Sequence, residues 1–203
     1  MRRLWGRLTS VNVQKAVWAL DEAGLPYERV EAGGSHGVVD DAGYRAMNPN
    51  GLVPTLEEEG FVLWESNAIL RYIAATSPAL ALPTNPRARA QVEQWVDWQA
   101  TSFTPAMRDA FWQLYRSADP DRALVAASLK KSEAMAAILD RHLADRDYVA
   151  DSGFGIADIA LGCAAHRWLN LPAERVERPA LRRWYDRLAA RPGATRALSE
   201  PIA

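Results

Sequence analysis

A segment rich in Pro, Ala and Thr, TSPALALPTNPRA at positions 76–88, divides this chain into two parts of different character. Before it, short alternating apolar stretches are mixed with stretches of helical period, whereas only helical periodicity follows it. Such a composition is typical of a linker between domains. The sequence therefore predicts a small α/β domain over residues 1–76, a linker at 77–86 and an all-helical domain over 87–203.

The first part follows the order β-α-β, connection, β-β-α. A strand is expected at Leu4–Leu8, and a helix follows over Val13–Leu20 until Gly24 and Pro26 end it. The remaining predicted elements are a strand at YERVE (27–31), a short helical turn at YRAMNPNG (44–51), a hairpin that turns on Glu59 and Gly60, and a helix from Ser66.

Four helical segments are predicted after the linker. Gly155 stands at the N-cap of the third, with Asp158 three residues on, which is an adequate but weak start for a helix. The predicted helices are Arg87–Arg116, Asp121–Leu143, Ile156–Leu169 and Ala180–Ala190.

Charge and cysteine content exclude several functions. The 24 Lys and Arg residues balance 25 Asp and Glu residues, so a surface for nucleic acid is not expected. No apolar run has the length of a signal peptide core or a membrane span, which predicts a cytoplasmic protein. Cys163 is the single cysteine, so an internal disulfide and a C-x-x-C redox pair are impossible. The spacing of the His residues predicts no metal site.

The stretch TSVNVQK (9–15) places polar side chains where the first strand gives way to a helix. A helix N-terminus has unpaired N–H groups and a partial positive charge, which require capping side chains or an anion. Ser10 and Asn12 are suited to either role. Lys15 lies one turn into the helix and is expected to face solvent or a carboxylate.

Two further motifs indicate groups that recognise a peptide. In LVPT (52–55), Pro54 opens a strand, and the Val53–Pro54 bond is one that is able to be cis, although an ordinary trans proline is favoured by this motif alone. A cis bond would turn the Val53 backbone groups outward to pair with an extended peptide. In WESNAIL (64–70), Ser66 at a helix start suits a carboxylate or simple capping, and Glu65 suits an ammonium group.

Together, TSVNVQK, NPNGLVPTL and WESNAILRYIA resemble, in order and spacing, the motifs of cytosolic glutathione transferases, and ADIALG (157–162) is similar to the buried helix of their second domain. The resemblance covers nearly the whole chain and is greatest to bacterial members with Ser or Thr followed by Asn in the active site. It implies a thioredoxin-like N-terminal domain that binds glutathione and an all-α C-terminal domain that holds an electrophile.

The resemblance also implies roles for single residues. Ser10 would donate a hydrogen bond to the glutathione thiolate, and Asn12 would orient it or donate a second. Leu52 stands where many relatives have a polar residue for the glycyl carboxylate, a role that would pass to His36. The implied partners of the glutathione backbone and γ-glutamyl group are Val53, Pro54, Glu65 and Ser66, and Asp97 would reach the other site of a homodimer.

Aromatic and basic residues of the helical part are candidates for the electrophile pocket. Arg108 and Trp112 are four residues apart and share a helix face, which Trp168 on a later helix is expected to approach. Both Trp residues suit a domain core equally well. Met107, Phe111 and Cys163 are expected to be packing residues.

The sequence thus predicts a glutathione transferase that activates the thiol for attack on a small electrophile. Two alternatives on the same fold remain open: a glutathione-dependent disulfide reductase or peroxidase, and a non-catalytic glutathione-binding module. A serine hydrolase using Ser10 is disfavoured because no G-x-S-x-G motif surrounds it. The identity of the electrophile is not encoded in any recognisable motif.

Overall fold

The computed structural model describes residues 1–200, which divide into two compact units. The first unit contains a four-stranded sheet of order β2-β1-β3-β4. Its strands are β1 (Arg2–Trp5), β2 (Glu28–Val30), β3 (Thr55–Glu58) and β4 (Phe61–Trp64). β1 pairs in parallel with β2 and antiparallel with β3, and β3 and β4 form the predicted hairpin across Glu59 and Gly60.

Three helices of the first unit are α1 (Val11–Glu22), α2 (Ala42–Met47) and α3 (Ser66–Thr76). β1 is shorter than the strand predicted at Leu4–Leu8 because Gly6 turns the chain with φ of +152°. A Cβ at Gly6 would lie 2.4 Å from Cγ2 of Val13, so only glycine allows this close approach of β1 and α1. That approach places the start of α1 directly beside the sheet.

The core of the first unit lies between the sheet and the helices. Leu4 and Leu56 of the sheet are fully buried, as are Val13 and Val17 of α1 and Ile69 of α3. Apolar residues of α1 at i, i+4 and i+7 therefore fix one face of this helix against the sheet.

The second unit is all-helical, as predicted. Its helices are α4 (Pro86–Trp98), α5 (Thr104–Arg116), α6 (Arg122–His142), α7 (Ile156–Asn170) and α8 (Pro179–Ala189). The single helix predicted at Arg87–Arg116 is wrong, because a π-helical turn over Gln99–Phe103 separates α4 from α5. Pro105 explains the interruption, since proline has no N–H to continue the α-helical ladder.

The described residues from Arg191 to Glu200 belong to the first compact unit. A short helix, α9 (Ala194–Ala197), packs against α1, and Arg191 forms an ion pair with Glu22 at the end of α1. Gly193 allows the contact, since a Cβ there would meet the Glu22 carboxylate at 2.6 Å. The predicted linker is also partly ordered, with Leu80 buried in a 3₁₀ turn.

Asp158 is the polar centre of the second unit and is fully buried. Its carboxylate accepts from the backbone N–H groups of Val149 (3.0 Å) and Gly155 (3.1 Å) and from the indole N–H of Trp184 (2.9 Å). Asp158 thereby compensates for the missing side chain of Gly155 at the start of α7. Among residues 1–200, no helix is long and apolar enough to cross a membrane.

Candidate functional site

Ser10 occupies the N-cap position of α1 with extended backbone angles, φ −83° and ψ 121°. Its carbonyl accepts from the N–H of Gln14 at 2.9 Å, and its own N–H donates to the Arg7 carbonyl at 3.2 Å. Its side chain, however, makes no capping hydrogen bond. The backbone of Ser10 therefore starts the helix while its hydroxyl is not used for capping.

A small cleft of about 50 Å³ brings together five residues that the sequence analysis assigned to glutathione. They come from three separate segments: the first turn of α1, the loop before β3 and the start of α3. The five are Asn12, Val53, Pro54, Glu65 and Ser66. Ser10 is not among the residues that line the cleft, although it directly precedes the same helix. Asn48, Asn50, Leu52 and Trp64 complete the cleft wall.

The Val53–Pro54 peptide bond is cis. Within residues 1–200, neither backbone group of Val53 has a hydrogen-bond partner, so both are available to an added peptide. Leu52 beside it is 65% exposed. The loop thus combines free backbone groups with an exposed apolar side chain.

Buried side chains hold the loop that carries Val53. The Tyr44 hydroxyl donates to the Leu52 carbonyl at 2.6 Å, and the Asn48 amide donates to the same carbonyl at 2.8 Å. Both side chains also contact the Thr55 hydroxyl, at 2.9 and 3.1 Å. Burial raises the pKa of Tyr44, which keeps its hydroxyl protonated. Sequence reasoning missed this network, although Asn48 in NPNG was a signal for a turn stabilised by its side chain.

Glu65 and Ser66 form the start of α3. Glu65 has a φ of +68°, an unusual value for a residue with a Cβ, and its side chain is exposed. Ser66 is only 5% exposed, and no side chain caps the helix. The first turn of α3 therefore presents N–H groups that no cap satisfies, beside one carboxylate and one hydroxyl.

Lys15 does not face solvent, so the solvent alternative of that expectation is wrong. The side chain is 1% exposed, and its ammonium donates to Oδ1 of Asn67 at 2.8 Å. Asn67 lies on α3, immediately after Ser66. This contact between α1 and α3 joins residues 52 positions apart, and no local pattern revealed it.

His36 is not placed in the cleft. It lies in a 3₁₀ turn, half exposed, with Nε2 at 3.6 Å from a carboxylate oxygen of Glu31. The Arg7 guanidinium instead lies close to Val53: a Cβ at Gly33 would be 2.9 Å from one of its nitrogens and 3.3 Å from Cγ1 of Val53. Sequence reasoning missed Arg7 as a cation near this loop.

The candidates for an electrophile pocket differ in exposure. Arg108 is exposed beside Asp109, and Trp112 is 60% exposed. Trp168 is buried and lines a different cleft of about 440 Å³, where the guanidinium of Arg175 lies 5.2 Å from its ring. That Trp168 approaches Trp112 stays a prediction.

The residues predicted to pack are buried: Met107, Phe111 and Cys163. Asp97 lies exposed on α4, in the second unit. In the part of the chain that the structure describes, no group of three or more His, Cys, Asp or Glu side chains is arranged to hold a metal ion.

The sheet order, the cis-proline before β3 and the helices define a thioredoxin-like domain followed by an all-helical one. The family description "Glutathione S-transferase, N-terminal domain" matches residues 2–75, and "Glutathione S-transferase, C-terminal domain" matches residues 103–192. The chain belongs to the glutathione S-transferase family.

Full-length relatives support this assignment. The chain is 39% identical over 207 residues to glutathione S-transferase GstB of Escherichia coli, with 100% of both chains covered. It is 32% identical to glutathione S-transferase 3 of Zea mays, covering 94% of this chain and 90% of that one. The structure of a theta class glutathione S-transferase from Xanthomonas axonopodis pv. citri, with glutathione bound, has a TM-score of 0.95 at 43% identity and covers 100% of this chain and 99% of that chain.

Proposed function

We propose that this chain is a glutathione transferase that binds glutathione in the cleft between the start of α1, the loop before β3 and the start of α3. The γ-glutamyl carboxylate accepts from Ser66 and the free N–H groups of α3, and its ammonium pairs with Glu65. The cysteinyl backbone pairs with the free N–H and C=O of Val53. The observation that carries this proposal is that three segments of the chain meet at one cleft, where the first N–H groups of α3 and the backbone groups of Val53 have no hydrogen-bond partner.

The thiol end of glutathione lies at the N-terminus of α1. A free thiol has a pKa near 8.5, and lowering it by two units requires about 2.7 kcal/mol. A hydroxyl donor to an anion contributes roughly 1.5 to 3 kcal/mol, and the helix dipole up to about 1 kcal/mol. The Ser10 hydroxyl, which caps nothing, supplies the first of these, and Asn12 orients the thiolate or donates a second hydrogen bond.

The reaction follows from this ionisation. The thiol proton leaves to solvent, and the thiolate electron pair forms a bond to an electrophilic carbon as the leaving group departs with its electrons. Ser10 is not a cysteine and Cys163 is fully buried, so this chain has no accessible thiol of its own for a mixed disulfide. That observation favours transfer over a reductase mechanism that uses a protein thiol.

The glycyl carboxylate needs a cation or donor near Val53. His36 was the candidate from sequence, but it lies beside Glu31, whose charge disfavours an anion there. Arg7 is the better candidate, since its guanidinium lies against Gly33 next to Val53.

We also propose a C2 homodimer, with Asp97 of one protomer contributing to the glutathione site of the other. Asp97 is exposed on α4, which is compatible with this role. A monomeric mass at micromolar concentration would contradict it.

The test of the function is binding followed by turnover. Millimolar glutathione should raise the melting temperature, and an aryl halide should be conjugated at a rate that depends on the enzyme. Turnover of a small mixed disulfide without any conjugation would favour the reductase alternative. Absence of any glutathione effect on melting would contradict glutathione binding altogether.

A further inference from the structure

Gln14 is a polar residue of α1 that the proposed site does not use. Its side chain is 1% exposed, and within residues 1–200 its amide nitrogen Nε2 has no hydrogen-bond partner. A buried donor without an acceptor is uncommon, because it loses its bonds to water and gains none in return. The position of Gln14 therefore requires an explanation.

Gln14 lies one helical turn after Ser10. Its backbone N–H donates to the Ser10 carbonyl at 2.9 Å, in the hydrogen bond that starts α1. Side chains of an α-helix tilt toward its N-terminus, and residues four apart lie one above the other on the same face. The Gln14 amide is therefore directed along α1 toward Ser10.

The two sequence neighbours of Gln14 point in other directions. Val13 packs against Gly6 beside the sheet. Lys15 donates to Oδ1 of Asn67 on α3 at 2.8 Å. Because successive side chains of an α-helix are about 100° apart, Gln14 faces neither of these contacts.

The Ser10 hydroxyl makes no capping hydrogen bond. A hydroxyl has one hydrogen to donate and two lone pairs that accept. If its oxygen accepts from an amide, its hydrogen is left for another group, and the hydrogen bonds of such a chain polarise and strengthen one another. The torsion that orients a glutamine amide is soft, so the Gln14 amide is able to turn toward this hydroxyl at small cost.

This inference rests on the proposed function. We propose that Gln14 is a positioning residue for the reaction: its amide N–H donates to Oγ of Ser10 when glutathione is bound, and this directs the hydroxyl hydrogen at the thiolate. Gln14 does not touch the sulfur and acts only through Ser10. The same arrangement gives the buried donor its acceptor.

The first test is Gln14→Met, which keeps the length of the side chain and removes the donor. The pKa of bound glutathione, titrated by the ultraviolet absorbance of the thiolate, should rise by about half a unit, less than for Ser10→Ala. Gln14→Leu should give the same shift with a side chain of different shape. Gln91→Met is the matched control, because Gln91 is exposed on α4 and its replacement should leave the thiol pKa unchanged.

The melting temperature of the ligand-free protein separates positioning from a structural role. Gln14→Met removes a buried polar group that has no partner, so the melting temperature should stay the same or rise. The charged side chains nearest to this helix start and on the cleft wall are Arg7, Lys15 and Glu65, and they are the same in parent and variant. A change in the thiol pKa without a loss of stability therefore reports on the Gln14 amide.

The second test is the double variant, which asks whether Gln14 acts through Ser10. Adding Gln14→Met to Ser10→Ala should not shift the thiol pKa further, because the hydroxyl that the amide orients is already absent. An equal shift in both backgrounds would mean that the amide acts independently of Ser10, and would overturn the proposal.

The outcomes also separate this inference from the function on which it rests. If Ser10→Ala raises the thiol pKa and neither Gln14→Met nor Gln14→Leu does, the inference is wrong and the function stands. If Gln14→Met lowers the pKa, the amide holds the hydroxyl away from the thiolate, which also contradicts the inference. If the parent does not bind glutathione, the function fails and the inference fails with it.

Discussion

Asn85 at the start of α4 and Asp121 at the start of α6 each accept two backbone N–H groups, whereas Ser10 at the start of α1 and Glu65 at the start of α3 accept none. The Asn85 side chain accepts at 2.9 and 3.2 Å, and that of Asp121 at 2.9 and 3.0 Å. No side chain caps α1 or α3. α4 and α6 thus use their cap residues for stability, while α1 and α3 leave their helix N-termini uncapped at the cleft.

This difference gives each helix start a distinct expected response to mutation. A cap that satisfies N–H groups should change the free energy of unfolding when it is removed. Substitution of an N-cap residue whose side chain accepts no N–H group should change the binding of glutathione or the ionisation of its thiol, and should leave the free energy of unfolding nearly unaltered.

Asp158→Ala should have the largest effect, lowering the free energy of unfolding by about 3 to 5 kcal/mol. The change leaves the buried N–H donors of Val149, Gly155 and Trp184 without an acceptor. Each buried donor that loses its acceptor costs roughly 1 to 3 kcal/mol. Chemical denaturation followed by far-ultraviolet circular dichroism measures it. If the variant loses less than about 1 kcal/mol, the start of α7 does not depend on this carboxylate.

The pH dependence of stability tests the same residue. Burial raises the pKa of Asp158 from 3.8 to about 6, although the hydrogen bonds that its carboxylate accepts favour the charged form. The folded state therefore holds this proton more tightly than the unfolded state. The contribution of Asp158 is most favourable below pH 4 and falls by up to about 3 kcal/mol as the pH rises through 6.

Asp158→Asn removes this titration and is the matched control. The advantage of the parent over Asp158→Asn in unfolding free energy should be larger at pH 4 than at pH 7. An advantage that grows with pH would show that the carboxylate is stabilised in its charged form.

Asn85→Ala and Asp121→Ala should each lower the free energy of unfolding by about 0.5 to 2 kcal/mol. Neither residue lines the cleft, so the dissociation constant of glutathione should not change. Calorimetry of binding beside denaturation curves separates the two quantities. Weaker glutathione binding in either variant would undermine the distinction between the two kinds of helix start.

Ser66→Ala should weaken glutathione binding by roughly 1 to 3 kcal/mol, the value of one hydrogen bond to a charged group. Because Ser66 caps no helix, the unfolding free energy should change by less than about 0.5 kcal/mol. Glu65→Gln should weaken binding similarly through the ammonium group. If both variants bind glutathione as the parent does, the assignment of the γ-glutamyl group is wrong.

Periodicity and turn signals predicted most of the fold because they are local. The order of strands and helices along the first unit, the hairpin at Glu59 and Gly60 and the helix start at Asp121 all follow from residues close in sequence. The division of the helix before Thr104 was missed, although Pro105 carried the signal. α9 packs on α1 through contacts between residues that are far apart in sequence. Periodicity within a short stretch of sequence does not predict such contacts.

The site was predictable where motifs are short and contiguous. Glu65 with Ser66, and Val53 with Pro54, line one cleft. Lys15 was misjudged because its neighbour Asn67 comes from a segment 52 positions away. A side chain's type shows what it is able to bind, but its neighbours in the fold decide what it contacts.

The most direct test of the central claim is the pKa of bound glutathione in Ser10→Ala, with Thr9→Ala as the control. The Ser10 hydroxyl caps no backbone N–H group. If it stabilises the thiolate, Ser10→Ala should raise this pKa by about one to two units and change the unfolding free energy by less than about 0.5 kcal/mol. Thr9→Ala should shift the pKa less. An unaltered pKa with a stability loss of about 0.5 to 2 kcal/mol would make Ser10 an ordinary cap and contradict the account.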